Sequence, residues 1–207
     1  MLPASGRPAW FSTVGMSKVF VITGPSGVGK GTLIRELLQR VPNLELSISA
    51  TTREPRQGEE HGRDYHYLSS EEFDRRVEAK DFLEFATYSG NRYGTLRSEV
   101  ERRLGEGHSV VLEIEVQGAQ QVRAAMPESI QIFIAPPDPA VLRERLRSRG
   151  LDSTEAIDSR LEVAKQEMAA RGDFAHEVVN DDLGEAAGEL EEIVRAELGL
   201  PLDSGAE

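Results

Sequence analysis

Cysteine is absent from the 207 residues of this chain. Its absence excludes disulfide bonds, catalysis by a thiolate and zinc sites built on cysteine. The chain has four histidines, at positions 61, 66, 108 and 176. Their spacing is not typical of a metal site, so we interpret them as surface or packing residues.

Basic residues are also few. The chain has 24 lysines and arginines against 36 aspartates and glutamates, which gives a formal net charge of −12. Coulomb repulsion argues against nucleic acid or an anionic membrane as the main partner. An anionic substrate would need a local basic pocket. Lysine occurs only at positions 18, 30, 80 and 165, so arginine is expected to supply most of that pocket.

Long apolar runs are missing as well. No stretch approaches the ~20 apolar residues of a membrane span. The length predicts a single domain, or a domain with mobile inserts. Residues 1–17 lack apolar periodicity and are expected to be a disordered tail or the result of a mis-assigned start, with Met16 as the alternative first residue. Their apolar stretch is too short for a signal peptide. Residues 201–207 are expected to form a second disordered tail.

The sequence does contain a regular alternation of apolar runs and helical patterns. Strands are predicted at 18–23, 45–49, 82–88, 109–114, 130–134 and 178–179. Helices are predicted at 29–41, 70–79, 95–105, 117–126, 138–148, 154–171 and 183–197. This alternation predicts an α/β fold with a parallel central sheet and helices on both faces. The polar segment 49–95 interrupts it and is interpreted as an insert.

The most informative motif follows the first predicted strand. It has the form G-x-x-x-x-G-K and lies between a buried apolar run and a helix, which is the context of a phosphate-binding loop. Glycines let successive N–H groups point at an anion, and the helix N-terminus adds partial positive charge. Lys30 would supply a mobile charge for the β- and γ-phosphates. The predicted triphosphate site consists of Gly24, Pro25, Ser26, Gly27, Val28, Gly29, Lys30, Gly31 and Thr32.

One position departs from the usual loop. The residue after the lysine normally carries a hydroxyl that ligates Mg²⁺, but here it is Gly31, with Thr32 one place later. A magnesium ion would therefore be held largely by water and phosphate oxygens, or by Thr32. The variant Gly-Lys-Gly-Thr is typical of kinases that phosphorylate nucleoside monophosphates.

A second motif lies at 49–59, on a loop stiffened by proline and glycine. Arg53 and Arg56 could present two planar guanidinium groups to one phosphate. Tyr65 and Tyr93 could donate hydroxyl hydrogens to its remaining oxygens. The alternative is a solvated loop in which these arginines pair with neighbouring glutamates, and the loop alone does not decide between the two.

These motifs resemble the guanylate kinase family. Ser-Ala-Thr-Thr-Arg-x-Pro-Arg-x-Gly-Glu at 49–59, with Gly-Arg-Asp-Tyr at 62–65, is similar to the family's monophosphate-binding segment. Further similar stretches occur in the same order at 82–86, 90–95, 117–118, 135–137 and 179–182. The resemblance extends over about residues 18–198, nearly the whole chain.

The resemblance implies a set of residues that bind GMP. Arg53, Arg56, Tyr65 and Tyr93 would hold the phosphate, and Glu84 would face the base. A carboxylate can accept both donors on one edge of guanine, whereas adenine lacks them. For Glu84 the alternative is simple strand alternation, with the polar side chain facing outward. The full implied set is Ser49, Arg53, Arg56, Glu59, Tyr65, Glu84, Tyr93, Gly94, Thr95 and Glu115.

The resemblance also implies residues on the ATP side. Arg149 and Arg160 would belong to a lid over the phosphates and act as catalytic residues together with Lys30. Asn180 and Asp181 would lie near the adenine. The alternative for the arginines is a solvated helix face paired with neighbouring glutamates. The family commonly has Asp-x-Asp where this chain has Glu113-Ile114-Glu115, which would place Glu113 near the metal and Glu115 near the guanine amine.

Together these features imply an ATP:GMP phosphotransferase that gives ADP and GDP, uses Mg²⁺, and works in cytoplasmic purine nucleotide metabolism. The implied fold is a three-layer P-loop α/β domain at 18–200. It would comprise a core (18–48 and 101–200), a small mixed α/β GMP-binding insert (49–100) and a lid (about 145–165). Two alternatives remain: a related kinase of a phosphorylated sugar, and a binding module without catalysis. The oligomeric state is left open.

Overall fold

Two β-sheets organise the computed structural model, which describes residues 17–88, 90–148 and 154–202. The strands in chain order are β1 (Val19–Thr23), β2 (Leu44–Leu46), β3 (Ala50–Thr51), β4 (His66–Tyr67), β5 (Phe82–Tyr88), β6 (Asn91–Leu96), β7 (Ser109–Glu113), β8 (Ile130–Ala135) and β9 (His176–Val179). The helices are α1 (Lys30–Arg40), α2 (Ser70–Glu78), α3 (Arg97–Gly105), α4 (Val116–Ala125), α5 (Pro139–Ser148), α6 (Thr154–Ala169) and α7 (Leu183–Leu198).

The larger sheet has five parallel strands in the order β2-β7-β1-β8-β9. Its central strand β1 is buried throughout, because helices cover both faces. Phe20 and Ile22 point into one apolar cluster with α1, α5, α6 and α7, whereas Val19 and Val21 point into another with α3 and α4. This arrangement confirms the predicted three-layer α/β fold.

The smaller sheet lies within the stretch that interrupts the sequence alternation. Its order is β4-β3-β6-β5, with β3–β4 parallel and the other pairs antiparallel. Helix α2 packs on it through Phe73, whose ring stacks on Phe82 at a centroid distance of 4.5 Å. The predicted helix 95–105 was wrong at its start, since residues up to Leu96 pair with β5 and α3 begins at Arg97. The predicted strand 45–49 was also displaced, because β2 ends at Leu46.

The parallel sheet brings three chain segments to one edge. The carboxyl ends of β1, β7 and β8 lead into the glycine-rich loop, Glu113–Glu115 and the 135–137 turn respectively. In open α/β sheets ligands bind at this edge. Both predicted tails, apart from residues 17 and 201–202, and residues 149–153 of the predicted lid lie outside the described residues. In the described part, no helix could span a membrane.

Candidate active site

The loop after β1 depends on three glycines. Gly24, Gly27 and Gly29 have φ angles of 141°, 86° and 102°, which side chains with a Cβ rarely adopt. At Gly24 a Cβ would also lie 2.1 Å from the carbonyl oxygen of Ile134. At Gly29 it would lie 2.5 Å from Nδ2 of Asn180. The loop backbone therefore approaches its neighbours more closely than any other residue type would permit.

Lys30 begins α1, and its ammonium group folds back over this loop. Nζ donates hydrogen bonds to the carbonyl oxygens of Gly24 and, at 3.2 Å, of Pro25. The first turn of α1 contains no acidic residue, so no side chain of the helix itself neutralises the partial positive charge of its N-terminus. Loop, lysine and helix end together have the geometry expected of the anion site that the motif predicts.

Asn180, which follows β9, and Arg145, on α5, connect these elements to the glycine-rich loop. Asn180 is 5% exposed and donates from Nδ2 to the carbonyl oxygen of Val28 at 2.7 Å. Arg145, on α5, donates to the carbonyl oxygens of Asn180 at 2.9 Å and of Asp181 at 3.3 Å. These residues border a cavity of about 300 Å³ beside the loop, so Asn180 and Asp181 lie next to the triphosphate site.

The predicted lid arginines are only partly described. Arg149 lies outside the described residues. Arg160 is half-buried on α6. Arg143, on α5, lies 3.5 Å from the carboxylate of Asp158 in an exposed ion pair, as expected of a solvated helix face.

A second cavity, of about 310 Å³, lies between the smaller sheet and the start of α4. The predicted GMP-binding residues that line it are Ser49, Tyr65, Glu84, Tyr93, Gly94 and Glu115. Gly94 is required here by packing, because a Cβ would lie 2.8 Å from the carbonyl oxygen of Glu84 and from Cδ1 of Phe82. Six residues from five separate stretches of sequence thus meet at one pocket.

Glu84 is the buried charge of this pocket. It is 5% exposed and accepts a hydrogen bond from Oγ1 of Thr95 at 2.7 Å. Burial raises the pKa of the Glu84 carboxyl, the hydrogen bonds from Thr95 oppose the rise, and the charge of Glu115 adds to it. The outward alternative for Glu84 is wrong: the β5–β6 register shifts at this point, and the exposed side chain is Phe85, at 40%. The carboxylate faces inward.

The arginine loop forms its own network beside this cavity. Arg53 donates to Glu59 at 3.0 Å and to the carbonyl oxygen of Glu54 at 2.8 Å. Glu59 also accepts from the N–H of Arg56 and from the hydroxyl of Tyr67, each at 2.7 Å. Hydrogen bonds from these three partners lower the pKa of Glu59 to about 2. The pairing alternative is therefore partly realised for Arg53, and the Glu59 carboxylate holds the loop in shape.

Arg53 also lies against the tyrosines of the predicted phosphate site. Its guanidinium carbon is 5.3 Å from the centre of the Tyr65 ring, and the Tyr65 and Tyr93 rings are 6.1 Å apart. Hydrogen bonds from Arg53 to Glu59 and Tyr93 raise its pKa above the ordinary value, so it stays charged. The side chain of Arg56 is exposed. Three of the four predicted phosphate-binding residues thus lie together, with Arg56 three residues along the same loop.

Thr32 and Glu113 border one cavity at the end of the glycine-rich loop, of about 360 Å³. Gly31 lies between them: a Cβ there would be 3.5 Å from Oε1 of Glu113. Desolvation in the cleft raises the pKa of the Glu113 carboxyl, and the charge of Lys30 opposes the rise. No group of three or more carboxylate or imidazole ligands occurs in the described ranges. One hydroxyl and one carboxylate fit a metal ion that keeps most of its waters.

The glycine-rich loop is connected to the cavity around Glu84, which is called the base pocket below after the base predicted to bind there. A further cavity of about 370 Å³ is lined by Ser26 and Lys30 on one side and by Ser49 and Tyr65 on the other. Glu113, Ile114 and Glu115 line both this space and the base pocket. The arrangement can hold two phosphate groups facing each other across the end of the parallel sheet.

Comparison with known proteins identifies the family of this chain. The sequence model described as guanylate kinase matches residues 16–197. The chain belongs to the guanylate kinase family. Its relatives place it among the nucleotide kinases.

Guanylate kinases similar to it cover most of the chain. One from Gloeobacter violaceus is 50% identical over 94% of this chain and 94% of its own length. One from Rubrobacter xylanophilus is 51% identical over 86% of this chain and 93% of its own. The crystal structure of guanylate kinase from Anaplasma phagocytophilum superposes with a TM-score of 0.70 at 33% identity, covering 88% of this chain and 87% of that one.

Sequence reasoning missed several residues of this guanylate kinase site. Arg145 ties α5 to the loop, but its helix contains several arginines, and nothing in the pattern separates one from another. Tyr67 supports Glu59 and lies two residues after Tyr65, where strand alternation could have indicated it. Glu167, on α6, accepts hydrogen bonds from the N–H groups of Val116 and Ser26. Only the packing of α6 shows that contact.

Proposed function

We propose that this chain transfers the γ-phosphoryl group of ATP to GMP and releases ADP and GDP. The observation that carries the proposal is the buried Glu84 carboxylate, in a pocket that continues into the space below Lys30. Guanine presents N1–H and an exocyclic amine on one edge, and a carboxylate accepts both. Adenine has an acceptor at N1 and no amine at C2, so its lone pair would face the carboxylate.

The acceptor phosphate would lie against Arg53, Arg56, Tyr65 and Tyr93. Arginine binds phosphate in a planar, two-pronged geometry, and the tyrosine hydroxyls are neutral donors. The pairing of Arg53 with Glu59 holds the guanidinium near Tyr65 before a ligand arrives. Less ordering of the side chain would then be needed upon binding. Ser49 would contact the other edge of the base, where O6 can accept, and Glu115 would lie near the guanine amine.

The donor triphosphate would occupy the glycine-rich loop, with Asn180 and Asp181 near the adenine. An oxygen of the GMP phosphate attacks the γ-phosphorus, the bond from phosphorus to the β–γ bridging oxygen breaks, and ADP leaves with that electron pair. The attacking oxygen is already ionised near neutral pH, so no general base is required. Lys30, Arg149 and Arg160 would stabilise the charge on the transferred group, and closure of lid and insert would exclude water.

Mg²⁺ is the expected cofactor. Thr32 and Glu113 are the residues that would hold it, largely through water. When bound with ATP it would neutralise charge on the β- and γ-phosphates. The corresponding physiological proposal is a cytoplasmic enzyme of purine nucleotide metabolism that recycles GMP.

The test is release of ADP from ATP, measured with GMP, AMP, CMP and UMP as acceptors. Of these four acceptors, we expect only GMP to give rapid ADP release. Equal rates with AMP would contradict the reading of the base by Glu84. No release with any nucleotide would favour the binding module, although the complete glycine loop and Lys30 argue against it. Release only with a phosphorylated sugar would favour the related sugar kinase, which the pocket around Glu84 argues against.

A further inference from the structure

Two neighbours enclose the Glu84 carboxylate: Thr95, which offers a hydroxyl, and Gly118, which has no side chain. Thr95, its partner across β5 and β6, donates to Oε1 at 2.7 Å. Against the other oxygen lies Gly118, in the first turn of α4. A Cβ built on Gly118 would be 2.8 Å from Oε2, 3.3 Å from Cδ and 3.5 Å from Cγ of Glu84. The three nearest atoms to that position thus all belong to one side chain, the carboxylate of the base pocket.

Helix α4 is held against β5 by hydrogen bonds and by packing. The side-chain amide of Gln121, one turn after Gly118, forms two hydrogen bonds with the backbone of Phe85. Phe85 N–H donates to Oε1 of Gln121 at 3.2 Å, and Nε2 of Gln121 donates to the Phe85 carbonyl oxygen at 3.1 Å. Behind this bridge, Leu83 of β5 packs in one buried cluster with Ala119 of α4. The helix and the strand that carries Glu84 are therefore fixed at one separation.

We propose that Gly118 is a positioning residue for base specificity: the space left by its missing side chain holds the Glu84 carboxylate where guanine can reach it. Thr95 orients one carboxylate oxygen and Gly118 admits the other. Because Gln121 holds α4 against β5, we expect the Glu84 side chain, rather than the helix, to move when this space is filled. The inference rests on the proposed reading of guanine by Glu84.

Gly118→Ala tests the proposal. The added methyl group would overlap the end of a flexible side chain rather than backbone, so the chain should fold and the carboxylate should move. Movement away from Thr95 and the pocket weakens hydrogen bonds to guanine. We expect KM for GMP to rise by roughly 10- to 100-fold, with KM for ATP unchanged. The preference for GMP over AMP should fall by a similar factor.

Gly188→Ala is the matched control. Gly188 is an interior glycine of α7, and a Cβ there would meet nothing within 4 Å. Both substitutions exchange a helical glycine for alanine, so both add one methyl group and favour the helix. We expect Gly188→Ala to keep wild-type kinetics and to melt at or above the wild-type temperature. An equal rise in KM for GMP in this control would overturn the proposal.

A double-mutant cycle separates positioning from a general structural role. In a Glu84→Ala background there is no carboxylate to displace, so Gly118→Ala should change KM for GMP by less than about twofold. Should Gly118→Ala alone melt early, the same double variant should regain the lost stability. The proposal fails if Gly118→Ala keeps the wild-type KM for GMP, or if its effect on KM or stability is as large without Glu84.

The proposed function fails separately. Wild-type protein that does not phosphorylate GMP, or a Glu84→Gln variant with wild-type preference for GMP over AMP, would remove the role of Glu84 itself. Wild-type use of GMP with sensitivity to Glu84→Gln but no sensitivity to Gly118→Ala would remove only the role of Gly118.

Discussion

At the scale of single residues, the base pocket places a carboxylate where water cannot solvate it fully. Glu84 is 5% exposed, and hydrogen bonds from the hydroxyl and the backbone N–H of Thr95 offset part of the desolvation. The raised pKa follows from the same cause. A ligand that offers two N–H donors would satisfy this carboxylate far better than solvent does.

We expect Glu84→Gln to lower kcat/KM for GMP by about 30- to 1,000-fold, because losing a buried charged hydrogen bond costs roughly 2–4 kcal/mol. KM for ATP should not change. In the wild type, KM for GMP should rise as the pH falls through the raised pKa of Glu84, since the protonated group accepts less well. The variant should lack that dependence. Steady-state kinetics from pH 5 to 8 measures both effects, and an unchanged rate with GMP contradicts the assignment.

Gly31 and Thr32 lead to an expectation about the metal. Gly31→Ser should be tolerated, because a Cβ would be 3.5 Å from Glu113, an ordinary contact, and the new hydroxyl could lower the Mg²⁺ concentration needed for half-maximal rate. Thr32→Val should have a modest effect if water and phosphate supply most ligands. Magnesium titrations of ADP release measure both variants. A collapse of the rate with Thr32→Val that excess Mg²⁺ restores would make Thr32 a direct ligand.

At the scale of secondary structure elements, the C-terminal end of α6 packs against the start of α4. Met168 contacts the cluster that contains Val116 and Phe133. The neighbouring Glu167 accepts hydrogen bonds from the N–H groups of Val116 and Ser26, and burial raises its pKa to about 7. A helix that carries part of the predicted lid is thus attached to the glycine-rich loop by one titratable group.

The pKa of Glu167 predicts a pH-dependent stability. Because the folded state holds this proton more tightly than the unfolded state, the contribution of Glu167 to stability is present at low pH and is lost as the pH rises to about 7. Glu167→Gln imitates the neutral form. Its melting temperature should therefore exceed that of the wild type by a few degrees at pH 8, since about 1 kcal/mol shifts a domain of this size by 2–4 °C. The difference in melting temperature should vanish near pH 4.5. A difference of the same size at every pH would contradict the prediction.

The elements also show where sequence reasoning succeeds and where it ends. Short apolar runs such as Val110–Leu112 are buried on both faces, so their hydrophobicity alone identified the strand. The boundary between β6 and α3 was misplaced because β6 is defined by pairing with β5, which a local pattern does not record. Ser69 and Glu72 have the spacing of a capping box, and the Ser69 hydroxyl accepts from the N–H of Glu72. The Glu72 carboxylate instead pairs with the following arginines.

At the scale of the whole molecule, the two predicted substrate sites rest on different sheets. The triphosphate loop leaves the parallel sheet, whereas Arg53 and Glu84 belong to the smaller sheet and its loops. Motifs located both groups of residues in the sequence. The motifs could not show that Glu113–Glu115 form the wall between the cavities, because that depends on how β7 ends beside β1.

This separation should appear in ligand-induced stabilisation. A ligand that binds only the folded state raises the free energy of unfolding by RT ln(1 + [L]/Kd), about 2.7 kcal/mol at 100 times Kd. In Lys30→Ala, a non-hydrolysable ATP analogue should lose most of its effect on the melting temperature, while GMP should keep its wild-type shift. In Arg56→Ala, whose side chain is exposed, the pattern should reverse.

Thermal melts with each ligand alone and with both measure the four combinations. Baseline differences between the unliganded variants cancel, because each shift is taken relative to the same variant without ligand. Loss of the GMP shift in Lys30→Ala would mean that the loop and the smaller sheet form one site rather than two. Loss of the ATP-analogue shift in Arg56→Ala would place that arginine on the donor side, since the charge it contributes would then act on the triphosphate.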